Sequence, residues 1–232
     1  MENNLPRQEL AIVYIDGFNL YFGLRAATIK QKGQKRLTKK SYWIDLQKLS
    51  ERIVKDNELV AVKYFTARIK GNPAKQHRQA TFLSAIQHHC PKLQMFEGNY
   101  LLRKMFCGKC RKFSYDIVCP YCKKINIFPE EKKSDVNIAT QMLKDAYENN
   151  FDIAYLVSGD SDLVPPIQVI RAMSPPKKVA VAFPPHRSGL ELKEAADFAF
   201  FLPSTAIKNY ILPEVIRKPD GSELRIPPEW NK

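Results

Sequence analysis

The chain has 232 residues, 44% of them hydrophobic, enough for one α/β domain with additions or two small ones built on a real core. Lys and Arg total 37 against 24 Asp and Glu, a net charge of +13 and a pI near 9.5, which favours a polyanionic partner, nucleic acid first, over a merely solubilising surface. No stretch nears the ~20 apolar residues of a membrane helix, and the N-terminus lacks the basic start and long apolar core of a secretory signal, so the expectation is a cytoplasmic protein without a membrane partner, whose five cysteines are metal ligands or thiols rather than disulfides.

The first apolar run, from residue 10, stops abruptly at Asp16-Gly-Phe-Asn19. Such a run, ended by turn residues, suits a strand buried on both faces. Residues 18–29 have helical spacing. Residues 30–40 then hold six basic residues and no acid, a charged loop in which Lys30, Lys32, Lys35, Arg36, Lys39 and Lys40 would track a phosphate backbone. Residues 43–54 return to helical spacing, 59–67 are β-branched and aromatic, 73–88 open on Pro as a helix can, and 93–102 read as another strand. A cysteine-rich stretch at 105–127 breaks the alternation. Residues 134–149 form a helix with Ser134 as its N-cap and Val136, Ala139, Leu143 and Ala146 on its apolar face. A second apolar run, 153–157, stops at Ser158-Gly-Asp160-Ser-Asp162. A helix at 163–173, a strand at 178–183, a short helix at 188–196 and a hairpin at 215–226 around Pro219-Asp220-Gly221 complete the chain. Alternating strands and helices predict a mainly parallel, doubly wound sheet.

In such a sheet functional groups sit beyond the carboxyl ends of the strands. Asp16, Asp160 and Asp162 fall there. Asp135 joins them by topology, because a crossover helix also begins at that edge. Taken singly, Asp135 is a helix-terminus charge and Asp160 a turn residue. Four carboxylates at one edge repel unless a cation neutralises them, and hard oxygen ligands select Mg²⁺ or Mn²⁺.

Asp16-Gly-Phe-Asn19 after a strand, Lys132-Lys-Ser-Asp135-Val opening a helix, and Ser158-Gly-Asp160-Ser-Asp162-Leu after a second strand together resemble the NYN domain, of the PIN-like nuclease family. The resemblance implies a Rossmann-like fold over residues 8–202 and metal-dependent RNA hydrolysis. It carries Asp16, Asp135, Asp160 and Asp162 onto the family's acidic positions, Asn19 onto its Asn, Ser158 onto its small hydroxyl residue and Lys132 onto its basic residue. Lys133-Ser134 departs from the family, which commonly shows Gly and an apolar residue there. Asp45, Asp152 and Asp197 read as structural.

Cys107-Gly-Lys-Cys110 and Cys119-Pro-Tyr-Cys122 are two CxxC pairs eight residues apart, the spacing of a closed structural Zn²⁺ site. The simplest NYN proteins lack this insertion. Arg103, Lys104, Arg111 and Lys112 surround it, interleaved with Phe106, Phe113, Tyr115 and Tyr121. That mixture suits single-stranded nucleic acid, and equally the mini-core of a small zinc ribbon. Cys90 reads as an inert thiol. The expected assembly is therefore a domain over 8–202 with a zinc-ribbon insertion at 105–127 and an extension over 203–232. Its expected partners are single-stranded RNA and either a second copy of the chain or a protein regulator. A metal-dependent endoribonuclease is the leading reading; an RNA-binding regulator with little activity and a phosphotransfer enzyme on a small molecule are its rivals.

Overall fold

The computed structural model describes residues 7–29, 37–101, 105–114, 118–123 and 130–231. In chain order the elements are β1 (Leu10–Asp16), α1 (Gly17–Thr28), α2 (Leu46–Val54), β2 (Glu58–Thr66), α3 (Pro73–His89), β3 (Leu93–Glu97), β4 (Asn99–Leu101), β5 (Met105–Phe106), β6 (Phe113–Ser114) and β7 (Glu130–Lys132). They continue with α4 (Ser134–Tyr147), β8 (Ile153–Val157), α5 (Val164–Arg171), β9 (Lys178–Phe183), α6 (Leu190–Ala195), β10 (Phe198–Phe201), α7 (Ser204–Ile207), β11 (Val215–Arg217) and β12 (Glu223–Arg225).

Six strands form one sheet in the order β10-β9-β8-β1-β2-β3, every neighbouring pair parallel. Sheet growth reverses between β1 and β8. This is the switch point of a doubly wound fold, where the carboxyl ends of two strands open a crevice. The sheet is covered on both faces, which is why β1 and β8 read as unbroken apolar runs. Val13 and Ile15 pack with Leu20, Leu24, Leu49, Leu83 and Ile86 of α1, α2 and α3. Ile12 and Tyr14 pack with Ile138, Met142, Ile167, Ile170 and Leu192 of α4, α5 and α6. Alternation along the strand puts Asp16 on the α4 side. After β10 the chain returns to the first layer: Ile207, Leu212, Ile216 and Ile226 are buried there, and Trp230 meets Tyr42 and Phe82 edge-on at 5.7 and 6.4 Å.

Several local expectations change. The strand expected at 93–102 is two strands in different sheets: β3 is an edge of the main sheet, whereas β4 turns away to pair antiparallel with β7. The helix expected from residue 43 starts at Leu46, because the Asp45 side chain caps it by accepting from the Lys48 N–H at 3.0 Å. Ser134 is not the N-cap of α4. Lys133 holds that position in left-handed backbone, φ +79°, with no side-chain cap bond. The buried face of α4 is Ile138, Met142, Asp145 and Ala146, and Val136 is exposed. Strand β10 has no counterpart among the expected elements; its alternation is blurred by three Phe in four residues.

Candidate functional site

Asp16 is the last residue of β1 and the N-cap of α1, so one side chain serves both the strand end and the helix start. Its carboxylate accepts from the Asn19 N–H at 2.9 Å and the Ser158 hydroxyl at 3.0 Å. Gly17 lets α1 begin so close to β2: a Cβ there would lie 2.6 Å from the Phe65 carbonyl oxygen. The second loop, after β8, is tied to the first by the Ser158 bond to Asp16 and by one more, and is braced within itself by another. The Gly159 N–H donates to Asn19 Oδ1 at 3.2 Å, and the Asp160 N–H donates to Ser158 Oγ at 3.1 Å. Asp160 in turn caps the turn Ser161–Leu163 by accepting from the Asp162 N–H at 3.1 Å.

Asp135 arrives in the first turn of α4. Its carboxyl is pushed up to about 6, first by burial and then by the charges of Asp16, Asp160 and Asp162. Three separate segments therefore bring four acids within electrostatic reach of one another at the carboxyl edge of the sheet. Burial also raises Asp16, against the lowering effect of the Asn19 and Ser158 hydrogen bonds, and the Asp160 charge adds to the rise. Exposure is graded: Asp16 is buried, Asp135 and Asp160 are half-buried, and Asp162 is open to solvent. The donor set is entirely hard oxygen, which fits Mg²⁺ or Mn²⁺.

The axial position of α4 is fixed by a cluster that no local sequence pattern announces. The Lys63 ammonium on β2 donates to both oxygens of Asp145 at 2.8 and 2.6 Å, and the Tyr14 hydroxyl donates to Asp145 at 2.6 Å. All three side chains are buried. Removing one charge would strand the other at a cost of ~3–5 kcal/mol. These bonds pin the helix that carries Asp135 to β1 and β2.

The four cysteines converge, their sulfurs all within 4.8 Å of one another. Cys107 and Cys122 lie 3.7 Å apart, Cys110 and Cys119 3.5 Å. A tetrahedron with Zn–S bonds of ~2.3 Å has edges of ~3.8 Å, so the set fits Zn²⁺ with no position left for water. The two CxxC turns repeat one device. The Arg111 N–H donates to the Cys107 carbonyl and the Lys123 N–H to the Cys119 carbonyl, both at 2.8 Å, and Arg111 and Lys123 both have φ +56°. Lys112 lies over the Tyr121 ring at 4.5 Å, and Phe106 and Tyr121 are exposed. Lys132 closes β7, whose partner β4 frames the insertion.

Of the basic residues expected to bind nucleic acid, Lys30, Lys32, Lys35, Arg36, Arg103 and Lys104 lie outside the described residues. Lys39 is exposed, and Lys40 pairs with Glu214 at 2.5 Å. Asp45, Asp152 and Asp197 are engaged by backbone: Asp152 accepts from the Leu10 N–H at 2.7 Å and Asp197 from the Val179 N–H at 2.8 Å. Cys90 is buried, and desolvation pushes its thiol up to about 12. Among the described residues no helix is long and apolar enough to cross a membrane.

The NYN domain family model matches residues 11–203. A curated relative, 6-hydroxy-3-succinoylpyridine 3-monooxygenase HspA from Pseudomonas putida, is 32% identical over 196 residues, covering 74% of this chain. The matched part spans 59% of that relative's length. The crystal structure of a protein of unknown function, VPA0982 from Vibrio parahaemolyticus, superposes with a TM-score of 0.52 at 18% identity, over 90% of this chain and 99% of that one, a likeness of fold.

Proposed function

Since this chain belongs to the NYN domain family, we propose that it is a metal-dependent endoribonuclease whose four aspartates hold Mg²⁺ or Mn²⁺ and whose cysteine module is a structural zinc ribbon. The observation that carries the reading is that Asp16, Asp135, Asp160 and Asp162 come from three segments to the switch point, where burial and the charges of the other three raise Asp135. A divalent cation held there lowers the pKa of an attacking water and offsets charge on the phosphate.

The chain supplies the remaining requirements. Ser158 and Asn19 orient the Asp16 carboxylate and leave oxygen lone pairs for a ligand. The bond from Gly159 to Asn19 locks the two strand-end loops together, so that Asp160 keeps its place relative to Asp16. Asp162, the exposed member, stands where a strand arrives from solvent. The excess of +13 draws the polyanion in against the local acidic field. Attack by water with the 3′-oxygen as the leaving group leaves a 5′-phosphate and a 3′-hydroxyl, and no 2′,3′-cyclic phosphate forms because the 2′-hydroxyl takes no part.

A second reading follows from the name of the 32% identical relative: oxygenation of a hydroxypyridine acid. One experiment separates them. Purified protein is incubated with mixed RNA in Mn²⁺ and in EDTA, and in parallel with 6-hydroxy-3-succinoylpyridine, dioxygen and a reductant. RNA cleavage that ends in 5′-phosphates, stops in EDTA and vanishes in Asp160→Asn supports the nuclease. Products with 2′,3′-cyclic phosphate, RNA bound but uncut, or consumption of the pyridine alone overturn it.

A further inference from the structure

Helix α1 begins one residue after Asp16 and turns Leu20, Gly23, Leu24, Ala27 and Thr28 inward. The same spacing leaves Phe18, Tyr21, Phe22 and Arg25 on its outer side. Tyr21 and Phe22 are each 38% exposed. The rings form a continuous row: Tyr100 of β4 stacks on Phe18 at 6.2 Å and 24°, Phe18 meets Phe22 at 6.1 Å, and Tyr21 meets Phe22 at 5.5 Å. At one end the row is anchored on the buried Tyr42, whose ring lies 5.3 Å from that of Tyr21, and along it the faces of Tyr21 and Phe22 stay partly open to solvent.

A cation stands beside Phe22. The loop after β9, residues 184–188, wedges between α1 and the turn that carries Asp160, and two glycines make room for it. A Cβ on Gly23 would lie 2.7 Å from the Pro185 carbonyl oxygen, and one on Gly159 would lie 3.1 Å from Arg187 Cβ. Arg187 is thereby held against the residue before Asp160, with its guanidinium 5.8 Å from the centre of the Phe22 ring. It is exposed, and among the described residues no carboxylate pairs with it. An exposed guanidinium beside the Asp160 turn and without an ion pair is available to a phosphate.

We propose that the outer face of α1 and Arg187 form a nucleotide subsite, in which an unpaired base of the RNA strand stacks on Phe22 and Tyr21 while Arg187 takes the phosphate next to the scissile one. The proposal rests on the nuclease reading for the identity of the strand. Exposed aromatics interleaved with arginine are the recognition chemistry of single strands, since every base offers a π-face and every linkage a charge. A duplex keeps its bases in the stack and cannot offer a face to the row. Arg25 and Arg187 at its margins select a polyanion over an apolar peptide.

The test measures binding of the full-length chain, in EDTA, to a single-stranded oligoribonucleotide carrying 2-aminopurine and to the same backbone without bases. Phe22→Ala should weaken binding of the base-bearing strand by ~5–100-fold, abolish the quenching of 2-aminopurine, and leave the abasic backbone unchanged. Phe22→Trp should retain both affinity and quenching. Arg187→Gln should weaken both strands and lower the slope of log affinity against log salt by ~0.7, the value for one phosphate on a single strand. Equal losses on both strands in Phe22→Ala, or no loss on either, would overturn the subsite. Cleavage is scored separately. A protein that binds with Phe22-dependent quenching yet cuts nothing keeps the subsite and sinks the nuclease; Asp160-dependent cleavage without any Phe22 dependence does the reverse.

Discussion

The cysteine sulfurs stand 3.5 and 3.7 Å apart, close to the edges of the tetrahedron that zinc requires, before any ion is considered. The aspartates are arranged differently. Among the described residues, only the cysteines bring three or more ligand atoms all within 4.8 Å of one another. The aspartates come from three segments and repel one another, and Asp135 is pushed up to about 6 by its burial and by that repulsion. The difference lies in what each set is for. Thiols in two local turns gather with little loss of chain entropy and close a shell, so an ion bound there would belong to the fold. Carboxylates held apart suit a partly hydrated Mg²⁺, which takes one or two of them directly and keeps positions open. On the proposed reading, one region would commit its ligands to stability and the other would hold charge ready for binding.

The largest expected effect tests the closed half of that comparison. Structural zinc binds with ~10–16 kcal/mol in small modules. Cys110→Ser should therefore lose about one zinc per chain by metal analysis, together with hydrogen-exchange protection over the module, while the six-stranded sheet melts unchanged. A zinc-free protein with the same protection would break the comparison.

Asp160→Asn tests the open half. Cleavage of single-stranded RNA in Mn²⁺ should fall by at least ~100-fold, the loss expected where a cation supplies several kcal/mol to the transition state. Thermal stability without divalent ions should not fall. A large drop in Tm would mean that the aspartates, like the cysteines, serve the fold.

A smaller effect has a definite sign. A carboxyl raised from 3.8 to about 6 binds its proton more tightly in the folded chain than in the unfolded one. Its destabilising effect is then absent at pH below about 4, grows as pH rises towards 6 and is complete above it. Asp135→Asn should accordingly raise stability at pH 7–8 in EDTA, by ~0.5–2 kcal/mol as relief of a functional site usually does. The gain should disappear near pH 4 and shrink when Mn²⁺ saturates the wild type. A variant equally stable at every pH would show that repulsion among the four acids is negligible.

The smallest effect asks which region captures the strand. Lys39→Ala, in the described end of the basic loop, and Arg111→Ala with Lys112→Ala, at the cysteine module, should each reduce the salt slope of RNA binding by ~0.7 for every phosphate no longer neutralised. Lys40→Ala should change it less, because Glu214 already holds that ammonium. A slope that moves only with the module variants would assign capture to the zinc region.

The sequence alone determined the features that depend on neighbours along the chain. Buried runs ending in Asp16 and in Ser158-Gly-Asp160 announced strands of a parallel sheet, since both faces of such strands are covered. The two CxxC pairs announced a cluster of four thiols that fits zinc, since each turn presents two thiols whatever surrounds it. The hairpin signal of Pro-Asp-Gly is equally local, and β11 and β12 pair antiparallel around it. Only the tertiary structure decided the rest. That Asp135 comes within electrostatic reach of Asp16 depends on the strand order around the switch point and on a buried lysine, Lys63, whose partner Asp145 lies 82 residues away. That residues 93–102 divide between two sheets depends on where β7 returns. That Arg187 stands beside Asp160 depends on two glycines, Gly23 and Gly159, far apart in sequence and each meeting the same loop. Periodicity reports which side of an element is buried; it carries no record of which distant atom buries it, and close approach between segments is settled only when the layers pack.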